Sequence, residues 1–345
     1  MVSKDRMSRI HRLEDTLEYA FKTLKELYIP RIGNIVLPVG NTDESKIAIG
    51  FASRLANRFN SNVKVVAFRK LLGEKTEERL AEHIKKLRER KVKNIQKFVF
   101  EEFNSEDIAN LMKGIPVEGG AVKKIRSFDL FVLPIPLTTS VRPYSSPEEK
   151  VYVYVEIVTD IVRTHATPVL FVKKTPLDES RIFGCVMVVI YDIDEMYSAI
   201  PIVLAVSDPK AEIMLSYCMD QTFLKSMEET MHELSDEASE VKLRIEELVE
   251  DKVERRIEEI EPKIALKKFR PFHIFACGET ISTLQTLADE NHMGLIVLTG
   301  YGITRLMEPE IANLILEVNR PILLIPSSLL REAVSYTHLT LPTKA

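Results

Sequence analysis

The stretch LIVLTGYGITRLMEPEIANLILEVNRPILLIP, residues 295–326, decides the fold. It opens on a short continuous apolar run, closes on another, and holds helical spacing between them in PEIANLILEVN (309–319). Short apolar runs bounded by turn residues read as strands buried on both faces. Pro309 suits a first helical turn, where its missing N–H would be unbonded anyway. Strand, loop, helix and strand in that order predict a right-handed crossover between parallel strands.

Working outward, the same alternation fills the chain. Before this stretch stand CVMVVIYD (185–192), a helix through Ala205, EIMLSYCM (212–219), a long helix, PFHIFACG (271–278) and ETISTLQTLADENH (279–292). The first half runs NIVLPVG (34–40), DESKIAIGFASRLANRF (43–59), VKVVAF (63–68), TEERLAEHIKKLRERK (76–91), IQKFVFEEF (95–103), FDLFVLPIP (128–136), SPEEKVYVYVEIVTDIVRTHA (146–166) and PVLFVKK (168–174). The first strands of the two halves are offset by 152 residues (34 to 186) and the last by 153 (168 to 321), which predicts a duplicated domain. The expected fold class is α/β: two tandem doubly wound parallel-sheet domains at 31–175 and 182–328, joined by a polar linker at 176–181. In such folds ligands sit beyond the carboxyl ends of the strands, where strand order reverses.

Two segments exceed the repeat. Residues 1–30 predict an amphipathic helix, with Ile10, Leu13, Leu17, Ala20, Leu24 and Leu27 alternating by three and four. The same alternation runs from Leu224 through Met227, Met231, Leu234, Ala238, Val241 and Ile245 to Leu248, in a helix expected over 224–260. At 1.5 Å per residue that helix is about 50 Å long and is expected to project beyond its domain. Its apolar seam suits a homodimer or partner helix, and equally packing against the chain's own elements.

Composition narrows the class. The 345 residues are 45% apolar and 28% charged with a net charge of −4, which fits a globular protein without a global basic field for nucleic acid. Cys185, Cys218 and Cys277 form no CxxC pair and lie in or beside apolar runs, as reduced, buried thiols of a cytoplasmic protein do. The N-terminus mixes charge and apolar residues from its start, unlike a signal peptide, and Asp192, Asp194 and Glu195 break the most apolar region below membrane-spanning length. The final VSYTHLTLPTKA (334–345) is similar to an in-frame translation of a sequencing adapter and is set aside from fold reasoning.

No HExxH, GxSxG, Walker loop, zinc-spaced cluster or nicotinamide fingerprint occurs, so no catalytic residue is assigned and the chain is expected not to be an enzyme. The basic runs at 85–93 and 123–126 lack interleaved aromatics and are expected to be solvated faces, not a nucleic-acid surface. Asp192, Asp194 and Glu195 read as a helix cap and first turn before they read as a metal site.

At this point the sequence resembles the universal stress protein family in its tandem two-domain form, over roughly 31–175 and 180–328. The resemblance rests on LPVGNTDESKIAIGFASRLA (37–56) and on the strand, loop, helix and strand of 295–326. It implies an adenine-nucleotide site in which an aspartate ends the first strand and a glycine loop leads to Gly-Ser or Gly-Thr at the last helix. In the first half Gly40 replaces that aspartate and the loop after 136 has no glycine, so no family-type ATP site is expected there. In the second half Asp192 and Gly300 match, Gly302 is off register with Ile303 in its place, Arg305 offers a cation, and Glu308 and Pro309 occupy the phosphate-gripping end. A carboxylate about 4 Å from a phosphate charge costs roughly 4 kcal/mol, against about 1.5–3 kcal/mol for a charge-assisted hydrogen bond. The expectation is a regulatory or stress-response module with degenerate nucleotide sites. ATP binds weakly or not at all, while adenosine, AMP or a second messenger held at the base remains compatible. An ATP- or AMP-binding stress protein using the second half, and a purely structural dimerisation protein, are the alternatives.

Overall fold

The computed structural model describes residues 27–326 other than 103, 113–126, 137–166, 176, 178, 191–192, 221–237, 279, 300–313 and 316. Its strands are β1 (Arg31–Pro38), β2 (Asn62–Phe68), β3 (Asn94–Phe100), β4 (Ser127–Pro134), β5 (Val169–Val172), β6 (Cys185–Ile190), β7 (Glu212–Asp220), β8 (Arg270–Gly278), β9 (Leu295–Thr299) and β10 (Ile322–Ile325). They form one ten-stranded sheet in the order β3-β2-β1-β4-β5-β10-β9-β6-β7-β8. Every pairing is parallel except β5 with β10, where Phe171 lies opposite Ile322 in antiparallel register. The sequence predicts parallel sheets; what it does not predict is their fusion. β5 and β10 are the last strands of their halves, and each supplies the hydrogen-bond partner that the other's open edge lacks.

The helices are α1 (Asp43–Phe59), α2 (Arg69–Leu72), α3 (Thr76–Glu89), α4 (Ser105–Leu111), α5 (Glu179–Ile182), α6 (Ile193–Val206), α7 (Ala238–Leu266) and α8 (Thr280–Glu290). Successive strand residues point to opposite faces, so β1 gives Ile35 and Leu37 to one core and Val36 to the other. α1, α3, α6 and α7 cover the first face, while α4, α8 and helical residues 314–315 cover the second. α1 begins where Thr42 accepts a hydrogen bond from Ser45 N, with Asp43 and Glu44 in the first turn and Arg58 in the last, as capping and the helix dipole favour.

The helix expected over 224–260 is described from Ala238 and continues to Leu266, through Pro262. Val253, Ile257, Ile260 and Ile264 are buried in the core, so this stretch lies on the sheet and does not project from it. That stripe holds the helix past the proline, whose ring removes only one backbone donor. The heptad segment 224–237, the helices predicted over 1–26 and 146–166, and the tail at 334–345 lie outside the described residues.

The halves are also clasped outside the sheet. Arg58 of α1 donates to the Ser207 and Leu204 carbonyls at the end of α6, and Arg54 pairs with Asp208. Phe51 meets Phe183 edge-on at 5.0 Å, with the Arg54 guanidinium over the same Phe183 ring. Lys173, just past β5, donates to the carbonyls of Ile315 (2.6 Å) and Val318 (2.7 Å).

Five helix-to-strand connections turn through a left-handed residue: Asn60, Lys91, Lys210, Lys268 and His292. Each is followed by a buried plug, respectively Ser61, Val92, Ala211, Phe269 and Met293. Glycine would adopt this conformation without the roughly 1–2 kcal/mol that a Cβ costs. At the helix ends the lysines recover part of that through the dipole. Replacing Lys268 by Gly is expected to raise the unfolding free energy by about 0.5–1 kcal/mol in urea titrations. Gly294 is the opposite case. A Cβ there would lie 2.5 Å from Ile182 Cα and 2.6 Å from Ile182 O. Those are backbone atoms, so Gly294→Ala is expected to lower stability by about 1–3 kcal/mol in the same titrations.

Candidate functional site

Strand order reverses between β1 and β4 in the first half and between β6 and β9 in the second, which puts the two candidate mouths at the carboxyl ends of those strands. The first mouth is tied across. The hydroxyl of Thr42, just after β1, donates to the Pro136 carbonyl, just after β4, at 2.8 Å. A carbonyl can only accept, so that bond uses the Thr42 proton. Ser45 Oγ, 3.0 Å away, therefore donates back to Thr42, which also accepts from Ser45 N at 3.2 Å. Val39, Gly40 and Thr42 are buried. One side chain thus caps α1 and bridges the gap a ligand would enter, without an acidic group where Gly40 stands.

The second mouth differs. Val189 of β6 lies opposite Leu298 of β9, which makes Ile190 and Thr299 the last described residues on its two strands. Thr299 is 1% exposed, and its hydroxyl has no hydrogen-bond partner among the described residues. Leaving such a group unpaired costs about 1–3 kcal/mol. Sequence reasoning passed over Thr299 because it closes an apolar run, where a threonine looks like an ordinary strand residue. Asp192, Gly300, Gly302 and Arg305, the residues singled out from the sequence, all lie outside the described residues.

Other reactive groups are in structural use. Cys185 is half-buried and faces Glu212 at 3.6 Å; burial first, and then that carboxylate, push its thiol above the usual range, away from nucleophilic character. Tyr197 donates to Glu259 at 2.6 Å, and its phenol is raised by burial and by that carboxylate. Asp129, buried in β4, accepts from Asn34 N (2.9 Å) and Asn34 Nδ2 (2.8 Å) where the β1–β4 register slips by one residue. Its carboxylate replaces the backbone acceptor lost at the bulge. Burial lowers the Lys173 amine to about 8. No group of three or more metal-ligating side chains occurs among the described residues. A hollow of about 420 Å³ lined by Arg69, Lys70, Glu74, Glu77 and Glu101 lies at the carboxyl ends of β2 and β3, on the same edge of the sheet as the first mouth.

No protein-family model matches the sequence, and no curated protein is similar to it. Among solved structures, a universal stress protein from Archaeoglobus fulgidus superposes with a TM-score of 0.52 at 13% identity, covering 87% of this chain and 98% of that one. A Pseudomonas aeruginosa protein provisionally assigned to the same family gives a TM-score of 0.50 at 13% identity, covering 88% and 97%. At these identities the likeness is one of fold: an α/β chain with a mostly parallel sheet. Among the described residues no helix is long and apolar enough to cross a membrane.

His83 on α3 gives a pH test of this core. Its Nδ1 donates to the Arg79 carbonyl at 3.0 Å, while Nε2 is buried without a partner among the described residues, so the ring is neutral. Burial lowers its pKa from 6.5 to about 4. Between those values the unfolded chain binds the extra proton, so stability falls as pH drops through the window and is retained above it. A shift of this size corresponds to about 3 kcal/mol by pH 4. His83→Leu is expected to flatten that part of the pH dependence in urea titrations from pH 7 to 4.

Proposed function

We propose that this chain is a non-enzymatic, cytoplasmic regulatory module of universal-stress-protein type, built from two tandem halves of which only the second retains a ligand mouth. The observation that carries this reading is the contrast between the two mouths. At one, Thr42 spans the mouth to Pro136 and satisfies itself; at the other, the buried Thr299 hydroxyl is unpaired among the described residues. A small ligand with a polar edge, an adenosine or AMP held at its base, answers the second arrangement. Glu308 and Pro309 disfavour a triphosphate there, for the electrostatic reason given by the sequence. Asp192 is the partner expected for the base or ribose and Gly300 the glycine in register with the family's loop, while Gly302 is off register and Arg305 supplies a cation that would offset part of the Glu308 charge. Self-association through the heptad segments at 10–27 and 224–248 belongs to the same reading.

Calorimetry on the whole chain with adenosine, AMP and ATP tests the reading. The expected result is one site per chain, with AMP bound at least as tightly as ATP. Thr299→Val should weaken it by up to about tenfold, the worth of one hydrogen bond, and Asp192→Ala by more. ATP bound tighter than AMP, two sites per chain, or no heat with any of the three would sink it.

A further inference from the structure

Among the described residues most ion-paired cations have a carboxylate on a neighbouring turn or strand, as in Lys46–Asp43, Lys86–Glu82 and Arg270–Glu212. Exposed cations without an ion pair among the described residues also occur singly, as at Lys210, Lys252 and Lys268; the densest run of them is on α3 and β3. Lys85, Arg88, Lys91, Lys93 and Lys97 are all exposed, and none has an ion-pair partner among the described residues. Glu89 is the one acidic residue in 85–97, a segment that also holds Lys86 and Arg90.

The fold gathers these five along one flank. Leu80, His83 and Leu87 turn α3 inward, while Lys85 and Arg88, one turn apart, stay outside. Lys91 takes the left-handed turn and Lys93 follows the buried Val92. On β3, an edge strand, Lys97 shares the parity of Ile95 and Val99, which pack against the core that α3 covers, and Lys93 immediately precedes the strand. Lys97 therefore extends on the sheet the stripe begun on the helix.

The architecture does not require this charge. The equivalent connection in the second half keeps the left-handed lysine and buried plug, at Lys268 and Phe269, but Arg270 there is paired with Glu212 and β8 continues with Phe272, His273 and Phe275. Five cations left unneutralised on a chain of net charge −4 cost self-repulsion that a polyanion would relieve.

Against the sequence expectation of a merely solvated face at 85–93, we propose that this flank binds the phosphodiester backbone of nucleic acid without sequence preference. Lysine and arginine side chains are usual donors to phosphate, and the stripe has no aromatic to stack on a base. A lipid surface fits less well, because Tyr28 and Leu266 are the large exposed apolar residues among those described and neither belongs to the stripe.

Fluorescence anisotropy of a labelled single-stranded DNA of about 20 nucleotides tests this with the whole chain. Binding is expected at about 50 mM salt, falling about 10- to 100-fold by roughly 200 mM, as release of counterions from up to five phosphates requires. The triple variant Lys91→Gln, Lys93→Gln, Lys97→Gln, with its circular dichroism unchanged, should reduce the magnitude of the log–log salt slope by about 2. Lys210→Gln, Lys267→Gln, Lys268→Gln removes the same charge elsewhere and should leave binding unchanged. No binding at low salt, equal loss in both triples, or binding to phosphatidylserine vesicles without binding to DNA overturns the proposal.

Discussion

Backbone hydrogen bonding at the β5–β10 seam is the constraint on which the rest of the molecule depends. A parallel sheet ending in a buried four-residue strand of Val, Leu, Phe and Val leaves a row of amides and carbonyls with no partner. Two such edges meeting antiparallel solve both problems at once. The clasp of Arg54, Arg58, Phe51 and Phe183, and the reach of Lys173 to the carbonyls of Ile315 and Val318, then act on halves that the seam already holds in register.

The seam also frees the halves to diverge. Once each has a partner, only the core and connections must be kept, and these are kept by recurring means: apolar strands buried on both faces and left-handed turns followed by plugs. The mouths and flanks are not so constrained. Thr42 bridges one mouth, Thr299 lies unpaired among the described residues at the other, and the cation that opens β8, Arg270, is paired with Glu212 while those of α3 and β3 are not paired among the described residues. Function is accordingly sought where the halves differ, since what they share is accounted for by folding.

Periodicity made the strands legible because strands buried on both faces read as continuous apolar runs, as in β1, β6 and β9. It placed α1 over 43–59, where the structure has it. It did not reveal the seam, since an edge that pairs with another edge looks like any closing strand. It ended the long helix too early at 260, because the hold of Ile257, Ile260 and Ile264 on the sheet is a tertiary contact that spacing does not show. Asp129 was unread for a related reason: a carboxylate replacing a missing backbone acceptor has no signature in spacing. Of the candidate site, the strand ends were legible and the polar geometry was not. Thr42 and Thr299 have the same side chain, and only three-dimensional neighbours distinguish a bonded hydroxyl from an orphan.

The most direct test of the seam is native-state hydrogen exchange read by mass spectrometry on peptides covering 169–172 and 322–325. Both peptides should exchange only through global unfolding, in step with β1 and β6, because opening the seam exposes both halves at once. Exchange of the seam peptides through a smaller opening, with β1 and β6 still protected, would show two sheets that merely touch and would contradict the account.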